Sequence, residues 1–195
     1  MKRNDINGIL LVNKKSGHSS QKMLTKIKKR FNVKIGHTGT LDPLASGLMV
    51  VLVGNSCTLS SLLIKEDKEY ICKMKFGILT STLDLEGSVI KKENFKLSIY
   101  SENDIKEILN KVIGEKDEIP PIYSAIKYNG KKLYEYARDN KISEKEKEEI
   151  LNIKKRKRNI YDIEVLEIYY LNNEIIFKVK CSSGTYIRSL VLEIA

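Results

Sequence analysis

The stretch GHTGTLDPLASG at residues 36–47 sets one carboxylate, Asp42, among three glycines and a proline. A carboxylate held rigidly can act as a nucleophile or take up a proton without help from a cofactor. Pro43 disfavours helical backbone at Asp42, and the glycines permit left-handed backbone and close approach of another chain. The stretch is therefore a candidate site. The alternative is a structural turn whose aspartate caps a backbone N–H, and on these residues alone both readings stay open. An unrelated phosphate-binding loop fits poorly, because the glycine-lysine-hydroxyl spacing of a P-loop is absent. Cys57, Cys72 and Cys181 are far apart with no CxxC spacing, and two histidines do not complete a conventional zinc set with them. Reduced structural thiols are expected, with no cofactor and no metal.

The elements around this loop must hold it. Residues 8–12 (GILLV) read as a short buried strand, and Ser20 as the cap of a helix with Met23, Leu24, Ile27 and Phe31 on its apolar face. Residues 48–53 (LMVVLV) form a valine-rich apolar run too short for a helix, so an interior strand follows the loop directly, ended by Gly54. Tyr70, Cys72, Met74 and Phe76 alternate with Ile71, Lys73 and Lys75, the period of a strand in an antiparallel sheet. Ser101 opens a helix with Asp104 at its third position, an apolar face of Ile105, Ile108, Leu109 and Val112, and Gly114 past its end. Asn129-Gly130 signals a turn between residues 126–128 and a short helical stretch at 133–137, a hairpin-like arm.

Residues 143–149 alternate acid and lysine, and 154–158 (KKRKR) are five consecutive cations. Such a combination cannot bury itself, so an exposed loop is expected, either contacting phosphate or merely solvated. Residues 160–171 and 175–181 read as two antiparallel strands around Asn172-Asn173. A helix from Thr185 then reaches Ala195 with no glycine, asparagine or cationic last turn, which predicts a chain cut in mid-element.

Across 195 residues, 42% hydrophobic and 31% charged, a folded chain with a sizeable core is expected, with one domain the first choice. The excess of 35 Lys and Arg over 25 Asp and Glu gives a formal charge of +10, suited to a polyanionic partner. No apolar run reaches the roughly 18 residues of a membrane span, and no signal-peptide core follows the N-terminus. A cytoplasmic protein without a membrane partner is expected.

The 36–47 loop resembles the catalytic loop of the bacterial tRNA pseudouridine-55 synthases, and five further blocks resemble that family in order and spacing. GILLVNKKSGHSS at 8–20 is similar to its first block, DKEY at 67–70 to its active-site tyrosine strand, and TSTLDLEG at 80–87 to its next loop. IPPIYSAIKYNGKKLYEYAR at 119–138 resembles its RNA-gripping thumb, and CSSGTYIRSL at 181–190 the strand and helix that supply an active-site arginine.

The resemblance implies an α/β chain with a mixed, largely antiparallel central sheet flanked by helices. It would be one catalytic domain over residues 1–195, incomplete at its C-terminus, with a thumb at about 119–158 and without the family's C-terminal RNA-binding module. The implied activity isomerises the uridine at position 55 in the T-loop of tRNA, by flipping the base, breaking the N-glycosidic bond and re-forming a C-glycosidic one. Asp42 would be the catalytic carboxylate, with Arg188 as its cationic partner, Tyr70 stacking on the extracted uracil and Tyr186 lining the same pocket. His37 would keep the nucleotide extruded, and Asp84 orient side chains nearby. Lys14, Lys127, Lys154, Lys155 and Arg156 would contact RNA. The partner would be the T-loop and stem of tRNA, met by a monomer that needs no guide RNA or helper protein. Two alternatives accompany this: a truncated, catalytically impaired tRNA-binding protein of the same fold, and a guide-RNA-dependent synthase, which lacks the thumb sequence at 119–138. Lys15, Thr58 and Ser183 depart from the family pattern, where proline, lysine and a basic residue are usual.

Overall fold

Residues 5–195 are described in a computed structural model, and they fall into two compact units, Met1–Glu66 and Asp67–Ala195. The first unit runs through strand β1 (Gly8–Lys14), helix α1 (Ser20–Phe31), strands β2 (Ile35–His37) and β3 (Gly47–Val53), and a short helix α2 (Ser60–Leu63). Its sheet has the order β1-β3-β2 with antiparallel neighbours, Gly8 opposite Val53 and Lys14 opposite Gly47. β3 takes the centre because its side chains can be buried on both faces: Met49, Val51, Leu52 and Val53 are all buried.

Two expectations for this unit need correction. The 8–12 strand exists but is an edge strand, with Ile9, Leu10 and Leu11 exposed, Leu11 at 71%. Apolar composition alone does not distinguish a central strand from an edge. The cap of α1 is Ser19, whose hydroxyl accepts from the Lys22 N–H, which leaves the Ser20 hydroxyl for another purpose.

The second unit begins with β4 (Lys68–Lys75), followed by a ribbon of β5 (Ile78–Thr80) and β6 (Val89–Lys92). Helix α3 (Glu102–Asn110) and strand β7 (Gly114–Glu118) come next, then a hairpin of β8 (Lys127–Tyr128) and β9 (Lys131–Lys132) that runs into α4 (Leu133–Ala137). Helix α5 (Glu144–Ile153), the long strands β10 (Arg156–Tyr169) and β11 (Glu174–Cys181), and helix α6 (Ile187–Ile194) complete it. The main sheet is β4-β11-β10-β7, and every strand pair among the described residues is antiparallel. Its core joins Met74 of β4, Ile175, Phe177 and Val179 of β11, Ile160 of β10, Ile105 and Leu109 of α3, and Leu190 of α6.

Local signals account for several of these elements. α3 carries the Ser101/Asp104 capping box, and the Ser101 hydroxyl and N–H hold the Asp104 carboxyl below its usual pKa. The hairpin turns on Asn129 and Gly130 with φ of 46° and 80°, the left-handed pair that a two-residue loop requires. Gly114, expected past the end of this helix, lies beyond it and opens β7 with φ of 100°.

The charged region after residue 140 differs most from expectation. Residues 143–149 belong to helix α5 rather than a loop, capped by a Ser143/Glu146 box and seated through buried Ile150. The cationic run at 154–158 is not a loop either, for β10 starts at Arg156 and Arg158 is only 2% exposed. Burial of Arg158 is possible because Glu118 of β7, 3.8 Å away, and Glu193 of α6 supply counter-charges.

Two substitutions test this packing by urea denaturation followed by circular dichroism. Ser143→Ala removes one cap and is expected to cost about 1 kcal/mol. Phe177→Ala empties the centre of the main core and is expected to cost about 3–5 kcal/mol.

Candidate functional site

The Asp42 loop is fixed on both sides of the carboxylate by backbone and side-chain bonds within the first unit. Before Asp42, the Thr38 N–H donates to the Val50 carbonyl at 3.2 Å. The Ser20 hydroxyl both donates to the Leu41 carbonyl, at 2.7 Å, and accepts from the Leu41 N–H, at 3.1 Å. After Asp42, the Pro43 carbonyl accepts from the Gly17 N–H and from Lys14 Nζ, each at 3.0 Å, and the Leu44 carbonyl accepts from the Ser16 hydroxyl at 2.7 Å. The Ala45 N–H closes a tight turn on the Asp42 carbonyl at 3.1 Å. Asp42 itself is half-buried. An aspartate whose neighbours on both sides are tied down cannot relax by moving its backbone, which is what pre-organised chemistry requires.

Lys14, expected at an RNA phosphate, lies inside the first unit. Its side chain is 1% exposed, and its ammonium donates to the carbonyls of His18, Pro43 and Lys15 at 2.6, 3.0 and 3.2 Å. A buried ammonium needs oxygen partners in place of water, and these three carbonyls supply them. Lys14 thus ties the end of β1 to the turn before α1 and to the Asp42 loop. His37, the last residue of β2, donates from Nδ1 to the Gly39 carbonyl at 2.9 Å.

A second cluster lies in the other unit around Arg188, at the start of α6. Its guanidinium donates to the carbonyls of Thr82, at 3.0 Å, and Tyr123, at 3.1 Å, and its Nε is 4.0 Å from the Asp84 carboxylate. Asp84 in turn accepts from the Thr82 hydroxyl and from the Glu86 N–H, so it organises the turn that presents Thr82. That turn is unusual. Leu83 adopts φ of 60°, and a Cβ at Gly87 would lie 2.6 Å from the Thr82 N, so only glycine fits. Such strain persists where the surroundings over-determine it.

Tyr186 caps α6, its N–H donating to Glu118 Oε1 at 3.0 Å, while the Arg156 guanidinium sits 4.6 Å from the centre of its ring. Tyr70 is half-buried in β4 opposite Val179 and packs against the main core. Lys127 is exposed on the hairpin, and Lys154 lies 5.5 Å from the Tyr128 ring.

Sequence reasoning missed Glu118, a 3% exposed carboxylate between Arg156 and Arg158. Burial raises its carboxyl above the usual range, against the pull of the Tyr186 N–H and the two guanidinium groups. Glu193, at the far end of α6, shows the opposite balance. Burial pushes its carboxyl up too, yet Lys116 and Arg158 hold it below its usual value. No local pattern marks Glu118, because it is one acid among several in GEKDE. Among the described residues, no three His, Cys, Asp or Glu side chains gather to hold a metal ion, and no helix is long and apolar enough to cross a membrane.

Antiparallel sheets flanked by helices are a fold that solved structures share. Similar chains occur in a Cbf5-Nop10-Gar1 complex, with a TM-score of 0.65 at 28% identity over 96% of this chain and 43% of that one. Another occurs in an H/ACA RNP bound to a substrate RNA containing 2′-deoxyuridine, with a TM-score of 0.63 at 26% identity over 96% and 41%. Residues 22–187 match the profile of the TruB family pseudouridylate synthases (N terminal domain), and the chain belongs to that family. A tRNA pseudouridine synthase B of Francisella philomiragia is 42% identical over 197 aligned residues, and one of Caldicellulosiruptor saccharolyticus 45% over 190. These alignments cover 100% and 97% of this chain, which spans 62% of the length of each relative.

The loop clamp yields a test. Lys14→Met removes the ammonium from three carbonyls, and amide exchange at Gly17 and Ala45 is expected to speed up by about tenfold or more, a local loss of roughly 1.4 kcal/mol. Exchange at Leu109 in α3, read in the same experiment, should not change.

Proposed function

We propose that the protein isomerises uridine to pseudouridine at position 55 in the T-loop of tRNA. The observation that carries the reading is the fixing of the Asp42 backbone on both flanks, by Ser20 on Leu41 and by Lys14, Gly17 and Ser16 on Pro43 and Leu44. Membership of the TruB family supports the choice of reaction.

The chemistry is an isomerisation and balances internally. The C1′–N1 bond breaks, the uracil turns, C5 bonds to C1′, and the proton displaced from C5 is replaced by one on N1. No electron acceptor or leaving group is required. Asp42 supplies the anionic group that attacks the nucleotide or removes a sugar proton, and Arg188 is the cation of this reading. Tyr70 and Tyr186 supply aromatic faces, which compensate the stacking that the uracil loses when it leaves its helix. His37 helps to hold the nucleotide out, and Asp84 keeps Arg188 oriented.

Affinity for RNA would come from Lys127, Lys154 and Lys155, together with the tyrosine-rich hairpin and α4, within a thumb at about 119–158, whereas the Arg156 guanidinium is engaged by Glu118, the Gly184 carbonyl and the Tyr186 ring. In that arm Lys131 lies 4.9 Å from the Tyr136 ring and Lys132 5.3 Å from the Tyr134 ring, cations interleaved with stacking surfaces. The reading has a cytoplasmic monomer acting on bare tRNA, without guide RNA or helper protein.

The decisive experiment incubates the protein with unmodified tRNA and maps pseudouridine by carbodiimide adducts and primer extension. Wild-type protein is expected to modify the T-loop uridine. Asp42→Asn is expected to lose more than about 10⁴-fold in rate, with tRNA affinity by filter binding held within about threefold, because a neutral isostere keeps the contacts but not the charge. Binding without any product from the wild-type protein would sink the reading in favour of a tRNA-binding role.

A further inference from the structure

One face of the β7/β10 pair carries an unusual load of charge. Arg156 lies opposite Glu118 and Arg158 opposite Lys116 in the antiparallel register, so all four side chains share a face. Helix α6 is tied to that face at both ends. Near its last turn Glu193 pairs with Lys116 at 2.8 Å and with Arg158. At its start the segment from Glu118 to Tyr123 makes three bonds to three of the four residues 186–189. Glu118 Oε1 accepts from the Tyr186 N–H at 3.0 Å, the Tyr123 carbonyl accepts from Arg188 at 3.1 Å, and the Ile119 carbonyl accepts from the Ser189 hydroxyl at 2.8 Å.

Glu118 is the only side chain of the segment in these three bonds, and it has a second link to Tyr186. Its Oε2 is 3.4 Å from Arg156, whose guanidinium lies 4.6 Å from the centre of the Tyr186 ring and donates to the Gly184 carbonyl. The carboxylate therefore grips the backbone of Tyr186 directly and its ring through Arg156. A negative group at the start of a helix is also favoured by the helix dipole.

We infer that Glu118 is a positioning residue: through Tyr186 and Arg156 it sets the start of α6, and with it the placement of Tyr186 and Arg188 for the reaction. It touches no substrate in this scheme and acts through those side chains. The inference rests on the proposed pseudouridine synthase activity.

A simple ion pair would also stabilise the fold, so the test must separate reach from charge. Glu118→Asp keeps the charge that Arg156 and Arg158 need, but its side chain is one methylene shorter and draws the acceptor away from Tyr186. Glu118→Gln loses the charge and keeps an oxygen at full reach. Single-turnover rates at saturating tRNA, with dissociation constants measured separately, are read for both in the intact gene product. Glu118→Asp is expected to slow turnover roughly tenfold or more, since a misplacement of about 1 Å can cost about 100-fold, with affinity unchanged within about threefold. Glu118→Gln is expected to recover most of the rate. A purely structural ion pair predicts the reverse order, because aspartate would preserve it better than glutamine. Any result in which glutamine is no faster than aspartate, or in which both variants match wild type, overturns the inference. Failure of the wild-type protein to form pseudouridine is a separate outcome that removes the activity itself, and the inference with it.

Discussion

A carboxylate can be pre-organised for chemistry only if its backbone does not give way, and the bonds on either side of Asp42 hold its backbone in that way. They come from the stretch that runs from the end of β1 to the start of α1, which spends Lys14, Ser16, Gly17 and Ser20 on the carbonyls and N–H groups of residues 41–44. The buried ammonium of Lys14 is the most costly of these groups to desolvate, so its three carbonyl partners are a condition of its burial as well as an anchor for the loop. The arrangement also explains why a strand with an exposed apolar face sits here. β1 serves less as core than as the element that delivers Lys14 to the loop.

The second unit meets the same problem with charge pairs. Arginines at 156 and 158 would ordinarily stay in water, yet Glu118 and Glu193 allow them to lie against α6. The two acids respond differently to similar surroundings. Glu193 is held below its usual pKa by close cations, whereas burial dominates at Glu118. Ion pairs of this kind contribute little net stability compared with well-packed apolar groups, but they fix geometry, because a buried charge tolerates few alternative partners. The first turn of α6, carrying Tyr186 and Arg188, inherits that geometry.

Much of the fold was legible where the determining information lies within a few residues. The capping box of α3, the Asn129-Gly130 hairpin and the alternation of β4 are set by local hydrogen bonding, backbone preference and period-two burial, and all three appear as expected. The charged region was not legible. β7 reads GEKDE with no apolar alternation, α5 and the start of β10 look like solvated sequence, and Lys14 looks like any surface lysine. The start of β10 and Lys14 depend on partners distant along the chain, Glu118 for Arg156, 38 residues away, and Pro43 for Lys14, 29 residues away.

The sequence alone determined the family and the largely antiparallel class of the sheets and pointed to Asp42 as the candidate carboxylate, because motifs and periodicities are written in adjacent residues. The tertiary structure decided which charges are buried and which face solvent, and which backbone groups hold Asp42 and the start of α6 in place. Burying a charge becomes affordable only once its counter-charge or carbonyl cage has been brought alongside, and that proximity is a property of the folded chain.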